Sequence, residues 1–166
     1  MSNGRAWLFG DNISTDLIFP GRYTHLLTNM PELVKHTLED ARTEYASSVR
    51  QGDFVVAGDN FGMGSSREQA PVIIKLSGAK AVLAKSFARI FFRNAINVGL
   101  PAIEVDTTGI EEGDELSIDF NAGKLVDHTQ GIERSFEPLP PIMTEILADG
   151  GLVEHLKKHG DFHLPA

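Results

Sequence analysis

The middle third of the chain constrains the fold most, because three apolar runs alternate there with helical segments that end at glycine. The runs predict buried strands at 54–57, 81–84 and 102–105. Helices are predicted between them, from about 66 to 76 and from 87 to 97. A strand–helix–strand–helix–strand order requires two right-handed crossovers. The sequence therefore predicts an α/β fold with a central parallel sheet.

The segments on either side add smaller elements to that sheet. A short strand is predicted at 6–9, and a helix is predicted to begin at Pro31. Period-two alternation over 115–120 precedes a turn and a returning strand that begins at Leu125. This pattern predicts a small antiparallel hairpin module. A final helix is predicted at 140–147, followed by a short amphipathic tail.

The length and composition fit a single domain that spans residues 1–166. Hydrophobic residues make up 42% of the chain, enough for a core that buries roughly two-thirds of the unfolded surface. No apolar run approaches the ~20 residues of a membrane span, and residues 1–5 do not begin a secretion signal. A cytoplasmic location is therefore expected. The long loop before Pro31 is expected to be functional, with a flexible portion at about 20–30.

The net charge of −8 argues against a nucleic-acid partner, because binding phosphates requires clustered lysine and arginine. An acidic protein binds a small anion only where its few arginines are concentrated. The chain has no cysteine, which excludes disulfides, a cysteine nucleophile and an iron–sulphur cluster held by its own thiolates. The positions of the arginines therefore indicate where an acidic substrate binds.

A glycine-rich segment between a predicted strand and a predicted helix carries the strongest signal for a site. This is the position at which α/β sheets bind ligands. Gly62 and Gly64 permit positive φ angles and a close approach of backbone to ligand. Ser65 and Ser66 also match helix-capping boxes, which is the alternative interpretation. Arg67 favours a site, because a cation in the first turn of a helix is unfavourable unless an anion binds there.

Ser65 can act in this segment as a nucleophile or as a base. A nucleophilic serine needs a neighbouring base, usually histidine, and none is nearby in the sequence. A serine base needs cationic surroundings, which Arg67 offers. The absence of a Gly-x-Ser-x-Gly elbow argues against an independent serine hydrolase. A non-catalytic module that binds anions with the same loop is a further alternative.

Three other sets of residues are weaker candidates. Arg22 lies in the long loop, where an ordinary turn and a mobile carboxylate-binding loop both fit the sequence. Arg89 and Arg93 lie four apart on a predicted helix, and a structural role is favoured, in which they pair with a partner subunit or with backbone carbonyls. His155 and His159 are spaced as metal ligands can be, but their polar surroundings favour a surface role, and no metal site is predicted.

Four stretches of the chain resemble the small subunits of 3-isopropylmalate dehydratase and homoaconitase, and the swivelling C-terminal domain of aconitase. They are residues 10–16, 60–68, 86–91 and 93–101. The resemblance covers nearly the whole chain, and its most specific part is the Gly-Ser-Ser-Arg-Glu order within the second stretch. It implies an aconitase-type swivelling β/β/α domain.

The resemblance implies a role in a hydro-lyase for each candidate residue. Ser65 would abstract the proton from the carbon next to a substrate carboxylate. Ser66 and Arg67 would bind that carboxylate, and Arg22 would hold another one. The other substrate-binding residues would be Tyr23, Thr24, His25 and Leu26, and the supporting residues would be Thr15, Asp16, Gly62 and Gly64.

The resemblance also implies that the chain functions in a heteromer. A large subunit would bind a [4Fe-4S] cluster, whose open iron takes the substrate hydroxyl as a Lewis acid. This chain would carry no cofactor of its own. It would act on a small carboxylic acid only together with that subunit.

The expected substrate is 3-isopropylmalate, an intermediate of leucine biosynthesis, with 2,3-dimethylmalate and homoaconitate as alternatives. Met63 stands where the family commonly has cysteine, and Gln69 where it commonly has histidine. Both changes leave the chemistry expected of Ser65 intact. The loop at 23–26 also departs from the family's usual Tyr-Leu pattern, and this departure leaves the substrate open.

Overall fold

In the computed structural model, which describes residues 3–164, seven strands form one mixed sheet. In chain order they are β1 Gly4–Leu8, β2 Phe54–Val56, β3 Ala81–Ala84, β4 Ala102–Glu104, β5 Glu115–Asp119, β6 Lys124–Asp127 and β7 Ile132–Ser135. Their order across the sheet is β4-β3-β2-β1-β5-β6-β7. β1 to β4 are parallel, whereas β5, β6 and β7 pair antiparallel. The predicted α/β class, with a parallel sheet and a small antiparallel part, is confirmed.

The helices are short, and two of them form the crossovers of the parallel sheet. They are α1 Thr15–Ile18, α2 Met30–Val34, α3 Tyr45–Ser48, α4 Gln69–Leu76, α5 Arg89–Val98, α6 Pro141–Ala148 and α7 Leu152–His159, and a 3₁₀ segment spans Gly21–Leu26. α4 connects β2 to β3, and α5 connects β3 to β4. In the part of the chain that the structure describes, no helix is long and apolar enough to cross a membrane.

β2 and β3 are buried on both faces, which explains why they read as continuous apolar runs. Val55 and Val82 pack on one side, in a core shared with Ile73 of α4 and Phe91 of α5. The alternate residues pack on the other side, where the antiparallel strands contribute to the core; among them are Phe54, Val56, Leu83, Leu116 and Ile118. This arrangement of helices, parallel strands and antiparallel strands is the β/β/α architecture that the resemblance implied.

The helix that begins near Pro31 is shorter than its apolar spacing predicts. That spacing reaches Leu38, but α2 ends at Val34. Leu38 adopts a left-handed backbone with φ 57°, and its N–H donates to the carbonyl of Ile18 at 2.9 Å. Its side chain is fully buried. Burial of a leucine contributes about 1.5–3 kcal/mol, which offsets a left-handed cost of roughly 1–2 kcal/mol.

The sequence analysis did not predict β7, which adds a third antiparallel strand to the predicted hairpin. The amphipathic tail, whose histidines have helical spacing, forms the helix α7. β7 alternates half-buried and exposed residues and is mostly polar, so it lacks the apolar signal of the other strands.

Candidate active site

The loops that follow β1, β2 and β3 meet at the carboxyl edge of the parallel sheet. The glycine-rich segment after β2 lies between the other two loops and hydrogen-bonds to both. Gly62 N–H donates to the carbonyl of Ile13 at 2.7 Å, and Thr15 N–H donates to that of Met63 at 2.9 Å. On the other side, Phe61 N–H donates to the carbonyl of Ser86 at 3.0 Å. Backbone contacts with the loops on both sides therefore fix the position of this segment.

Gly62 is required for this path of the chain. Its φ is +85°, and a Cβ at this position would lie 2.2 Å from the side chain of Phe91. Gly64 also has a positive φ, of +98°, but space remains around it. The close approach at Gly62 packs the loop against α5, so that the residues after it lie beside the first turn of that helix.

Ser65 is exposed, and its hydroxyl contacts two polar side chains. Thr15 Oγ1 donates to the carbonyl oxygen of Ser65 at 2.8 Å and lies 3.3 Å from Ser65 Oγ. Because the single hydroxyl proton of Thr15 is used in the first bond, Ser65 is the donor in the second. Arg67 Nε donates to Ser65 Oγ at 3.3 Å. The hydroxyl of Ser65 is thus held between a buried threonine and a cation.

Arg67 is oriented by contacts on several sides of its guanidinium. Nη2 forms an ion pair with Asp16 Oδ1 at 2.8 Å, and Nη1 donates to the carbonyl of Phe19 at 3.4 Å. The guanidinium carbon also lies 5.6 Å from the centre of the Phe19 ring. These contacts leave some of the five guanidinium N–H donors free. Arg67 can therefore bind an anion without leaving Ser65.

The glycine-rich segment and α5 enclose a cleft of about 230 Å³. That volume is comparable with a small organic acid and lies below the usual range of ligand pockets. The cleft is lined by Thr15, Gly62, Gly64, Ser65, Ser66, Arg67, Ala88, Arg89, Ile90, Phe91 and Asn94. The structure thus brings together the predicted catalytic serine, its neighbours and one supporting residue from the loop after β1.

The capping interpretation of the two serines is wrong. α4 begins at Gln69, and Glu68 occupies its N-cap position without a side-chain capping bond. Ser65 and Ser66 therefore lie in the loop before the helix, and so does Arg67. The dipole argument made from the sequence for Arg67 does not apply to its observed position. It does apply to Arg89, which is the first residue of α5 and lines the cleft.

Arg22 lies in the 3₁₀ segment and is engaged elsewhere. Its two Nη atoms bind both oxygens of Asp40, at 2.8 and 2.7 Å, and Nη2 also binds Glu39 at 2.8 Å. Tyr23 OH donates to the same Glu39 oxygen. The ion pair with Asp40 raises the pKa of Arg22, and the bond from Arg22 lowers the pKa of Asp40. We refer to Arg22, Glu39 and Asp40 as the Arg22 clamp.

The other predicted substrate-loop residues share this location. Thr24 and His25 are exposed, and Leu26 is half-buried. Thr24 Oγ1 donates to the carbonyl of Gly21 at 2.6 Å. None of the residues from Arg22 to Leu26 lines the cleft at Ser65. The segment predicted to be flexible is folded here, and its mobility stays a prediction.

The carboxyl-terminal histidines do not fit the predicted surface role. His155 is fully buried; its Nδ1 lies 2.8 Å from Asp149, and its Nε2 accepts the N–H of His163 at 3.0 Å. His159 Nε2 lies 3.1 Å from the same carboxylate, and Lys158 binds its other oxygen at 3.0 Å. Lys158 first, and then the histidines, lower the pKa of Asp149 to about 2. Three of these side chains are close enough to share a metal, but the engaged nitrogens of His155 and the lysine make the group an anchor for α7.

Comparisons with known proteins agree with this fold. The family model described as Aconitase C-terminal domain matches residues 16–108. The chain is 59% identical to 3-isopropylmalate dehydratase small subunit 2 of Archaeoglobus fulgidus, over 97% of this chain and 98% of that protein. It is 53% identical to the methanogen homoaconitase small subunit of Methanothermobacter thermautotrophicus, over 93% of this chain and 90% of that protein.

A solved structure supports the same assignment. The crystal structure of 3-isopropylmalate dehydratase from Methanocaldococcus jannaschii matches with a TM-score of 0.90 and 47% identity. The match covers 95% of this chain and 94% of that one. The chain therefore belongs to the family of 3-isopropylmalate dehydratase and homoaconitase small subunits, which consist of the aconitase C-terminal domain.

Proposed function

We propose that this chain is the small subunit of a heteromeric 3-isopropylmalate dehydratase, in which Ser65 is the catalytic base. The observation that carries the proposal is the contact between Ser65 Oγ and Arg67 Nε in the wall of an open cleft. The names of the relatives support the substrate and the need for a large subunit. The proposal includes a cytoplasmic location, because a reducing compartment preserves the thiolate ligands of a partner's cluster.

Proton transfer would take place at Ser65 Oγ. In the resting arrangement the serine proton points to Thr15 Oγ1, and Arg67 Nε donates to the serine oxygen. A cationic donor stabilises the charged form of an acid, so Arg67 lowers the cost of forming the alkoxide. The proton of Ser65 would leave to solvent through the open cleft, where Ser65 is exposed. The alkoxide would then take the proton from the substrate carbon next to a carboxylate, which restores the serine hydroxyl. Among the described residues 3–164, no histidine contacts Ser65, which disfavours a serine-hydrolase mechanism.

The substrate carboxylate would bind to Arg67 and Ser66. Ser66 is exposed and lines the cleft, three residues before the first residue of α4 and next to Arg67. Asp16 pairs with Arg67 but is itself largely exposed, so a substrate carboxylate competes with it for the guanidinium. Paired charge-assisted bonds of this kind fix the orientation of a carboxylate as well as its position. They would hold the reacting carbon next to Ser65.

A [4Fe-4S] cluster on the large subunit would supply Lewis-acid chemistry at the substrate hydroxyl. This chain contains no cysteine, so it offers no thiolate for such a cluster. Its own part is to bind the carboxylate, orient the carbon and move the proton. Turnover therefore requires both chains.

Arg22 would bind the second carboxylate after its ion pairs with Glu39 and Asp40 break.

Homoaconitate is the second candidate substrate, because a homoaconitase small subunit is 53% identical to this chain. The exposed side chains of Thr24 and His25 would face the group that distinguishes the two acids. An anaerobic assay with the purified heteromer against 3-isopropylmalate, 2,3-dimethylmalate and homoaconitate identifies the substrate. Turnover of none of the three would contradict the proposal.

The role of Ser65 is tested in the reconstituted heteromer. Ser65→Ala is expected to lower kcat on the order of 10²–10⁴-fold while the two chains still assemble, because only the base is removed. Ser47→Ala is the matched control, since Ser47 is also an exposed serine but bonds only the carbonyl of Glu44. Full activity of Ser65→Ala would exclude Ser65 as the base.

A further inference from the structure

The amino-terminal half of α5 presents an exposed face beside the cleft. Arg89 and Arg93 are exposed, and the side chain of Ile90 is 52% exposed. The opposite face of the same helix is buried through Phe91 and Ala95. We refer to Arg89, Ile90 and Arg93 as the α5 face.

The charges of the α5 face are not compensated within this chain. Among residues 3–164, neither Arg89 nor Arg93 forms an ion pair or a side-chain hydrogen bond. The two arginines lie one turn apart, where like charges repel. No acidic residue lies in the first turn of α5, and Ala88 at the N-cap provides no capping bond. Arg89 also faces the positive end of the helix dipole. Negative charge from outside the chain would therefore relieve an unfavourable arrangement.

The α5 face is continuous with the proposed active site. Arg89 and Ile90 line the same cleft as Ser65, and Arg93 lies one turn further along the helix. A chain that brings bound substrate to Ser65 has to cover this cleft, and hence the residues on its rim. An apolar side chain between two arginines also has the composition of a protein interface, in which arginine is enriched.

We infer that the α5 face docks onto an acidic surface of the large subunit, with Arg89 and Arg93 pairing with carboxylates around a contact made by Ile90. This inference rests on the proposed function, which supplies the partner. Nucleic acid is a poor alternative occupant, because the chain as a whole carries a net charge of −8. A second copy of this chain, also acidic, is an outcome that the test distinguishes.

The test measures the affinity between the small and large subunits by biolayer interferometry. Arg89→Glu and Arg93→Glu are each expected to weaken binding tenfold or more, because charge reversal places like charges against each other. Ile90→Ala is expected to weaken it to a smaller extent. Arg50→Glu is the matched control: Arg50 is also exposed, but it precedes β2 at the opposite edge of the parallel sheet. Its affinity is expected to equal that of the unmodified chain.

Thermal unfolding of the isolated variants separates docking from folding. Arg89→Glu places an acid at the amino end of α5, where it is favourable, so the Tm of the isolated chain is expected to stay level or rise. A variant that is at least as stable as the unmodified chain but binds its partner more weakly supports the docking role. Unchanged affinity of both charge reversals would overturn it.

Activity at saturating small subunit distinguishes docking from a role in the cleft. Arg93→Glu, which lies outside the cleft lining, is expected to regain most of the unmodified kcat once enough chain is added to saturate the partner. A kcat of Arg93→Glu that stays low at saturation would assign the α5 face to the reaction and overturn the docking role. Analytical sedimentation of the isolated chain tests the alternative occupant. If the unmodified chain is a dimer and the charge-reversal variants are monomers, the α5 face binds a second copy of the chain and not the large subunit.

The proposed function and the docking role of the α5 face can be refuted independently of each other. Ser65→Ala is expected to bind the large subunit with unchanged affinity and to lose turnover, whereas the α5 variants lose affinity. If Ser65→Ala loses turnover and both charge reversals keep their affinity, the assignment of Ser65 as the base is supported and only the docking role of the α5 face is refuted. If the unmodified chain does not bind a large subunit, both proposals are refuted.

Discussion

Arg67 and Arg22 are both assigned to substrate carboxylates, but their surroundings differ. Arg67 contacts Ser65 Oγ, Asp16 and the backbone of Phe19, and it lines a cleft. Arg22 is bound on both Nη atoms by the carboxylates of Glu39 and Asp40, outside that cleft. The first arginine already contacts the proposed base, Ser65, whereas the second would have to exchange partners before it reached a substrate.

The difference follows from the segments that carry the two residues. Arg67 ends a loop that is held by backbone bonds from two neighbouring loops and by the close packing of Gly62 on Phe91. Arg22 lies in a 3₁₀ segment without buried residues, where the contacts are surface ion pairs. Such pairs face solvent, which screens them, so another carboxylate can replace Glu39 or Asp40 as the partner of Arg22. A fixed site and an exchangeable one can thus act on the same substrate.

The largest expected effect in this comparison comes from Arg67→Lys in the reconstituted enzyme. Lysine keeps the charge but lacks the planar fork that contacts Ser65 and a carboxylate at the same time. We expect kcat to fall about 100-fold or more, as for loss of a positioned donor. Steady-state kinetics provide the measurement. A change in KM alone would place Arg67 in binding and not beside the base.

Arg22→Ala is expected to raise KM about tenfold and to change kcat only a few-fold. A hydrogen bond to a charged group contributes about 1.5–3 kcal/mol, and this one would form only after the loop moves. Asp40→Asn is the complementary variant, since it weakens the Arg22 clamp and is expected to lower KM. If both variants left KM unchanged, the assignment of Arg22 to substrate would be wrong.

Thr15→Val removes both hydrogen bonds of the Thr15 hydroxyl, and kcat is expected to fall about fivefold, because the bond with Ser65 Oγ contributes about 1 kcal/mol. Thr15 is buried and close to isosteric with valine, so the packing is retained and only the hydroxyl beside Ser65 is lost. Kinetics of the heteromer and the Tm of the isolated chain provide the measurements. Unaltered kcat in a folded variant would remove Thr15 from the supporting residues.

The smallest effect is the acid sensitivity of the Arg22 clamp. Tyr23 and then His36 lower the pKa of Glu39, and Arg22 lowers that of Asp40. A carboxyl with a depressed pKa stabilises the folded arrangement above its unfolded pKa of about 4, and this contribution is lost as the pH falls below it. Limited proteolysis of the 20–30 segment is expected to accelerate slightly below pH 4. If proteolysis became faster as the pH was raised, the predicted direction of this pH dependence would be wrong.

The sheet could be predicted from the sequence, whereas several boundaries could not. β2 and β3 are apolar throughout because they are buried on both faces, so the pattern identified them within a few residues. The start of α4 was misplaced because Ser65 and Ser66 have the chemistry of caps without that role. α2 ends at Val34, before the predicted Leu38. Leu38 adopts a left-handed backbone instead of a helical one, because the burial of its side chain outweighs the cost of that conformation.

The sequence alone determined which residue types are available for chemistry: the Gly-Ser-Ser-Arg order and the lack of cysteine. These depend only on residue identity, which a linear pattern contains. The tertiary structure alone decided that Thr15 and Arg89 join Ser65, and that Arg22 is held by Asp40. Contacts between residues far apart in the chain depend on how the loops meet at the edge of the sheet, and no short-range spacing encodes that.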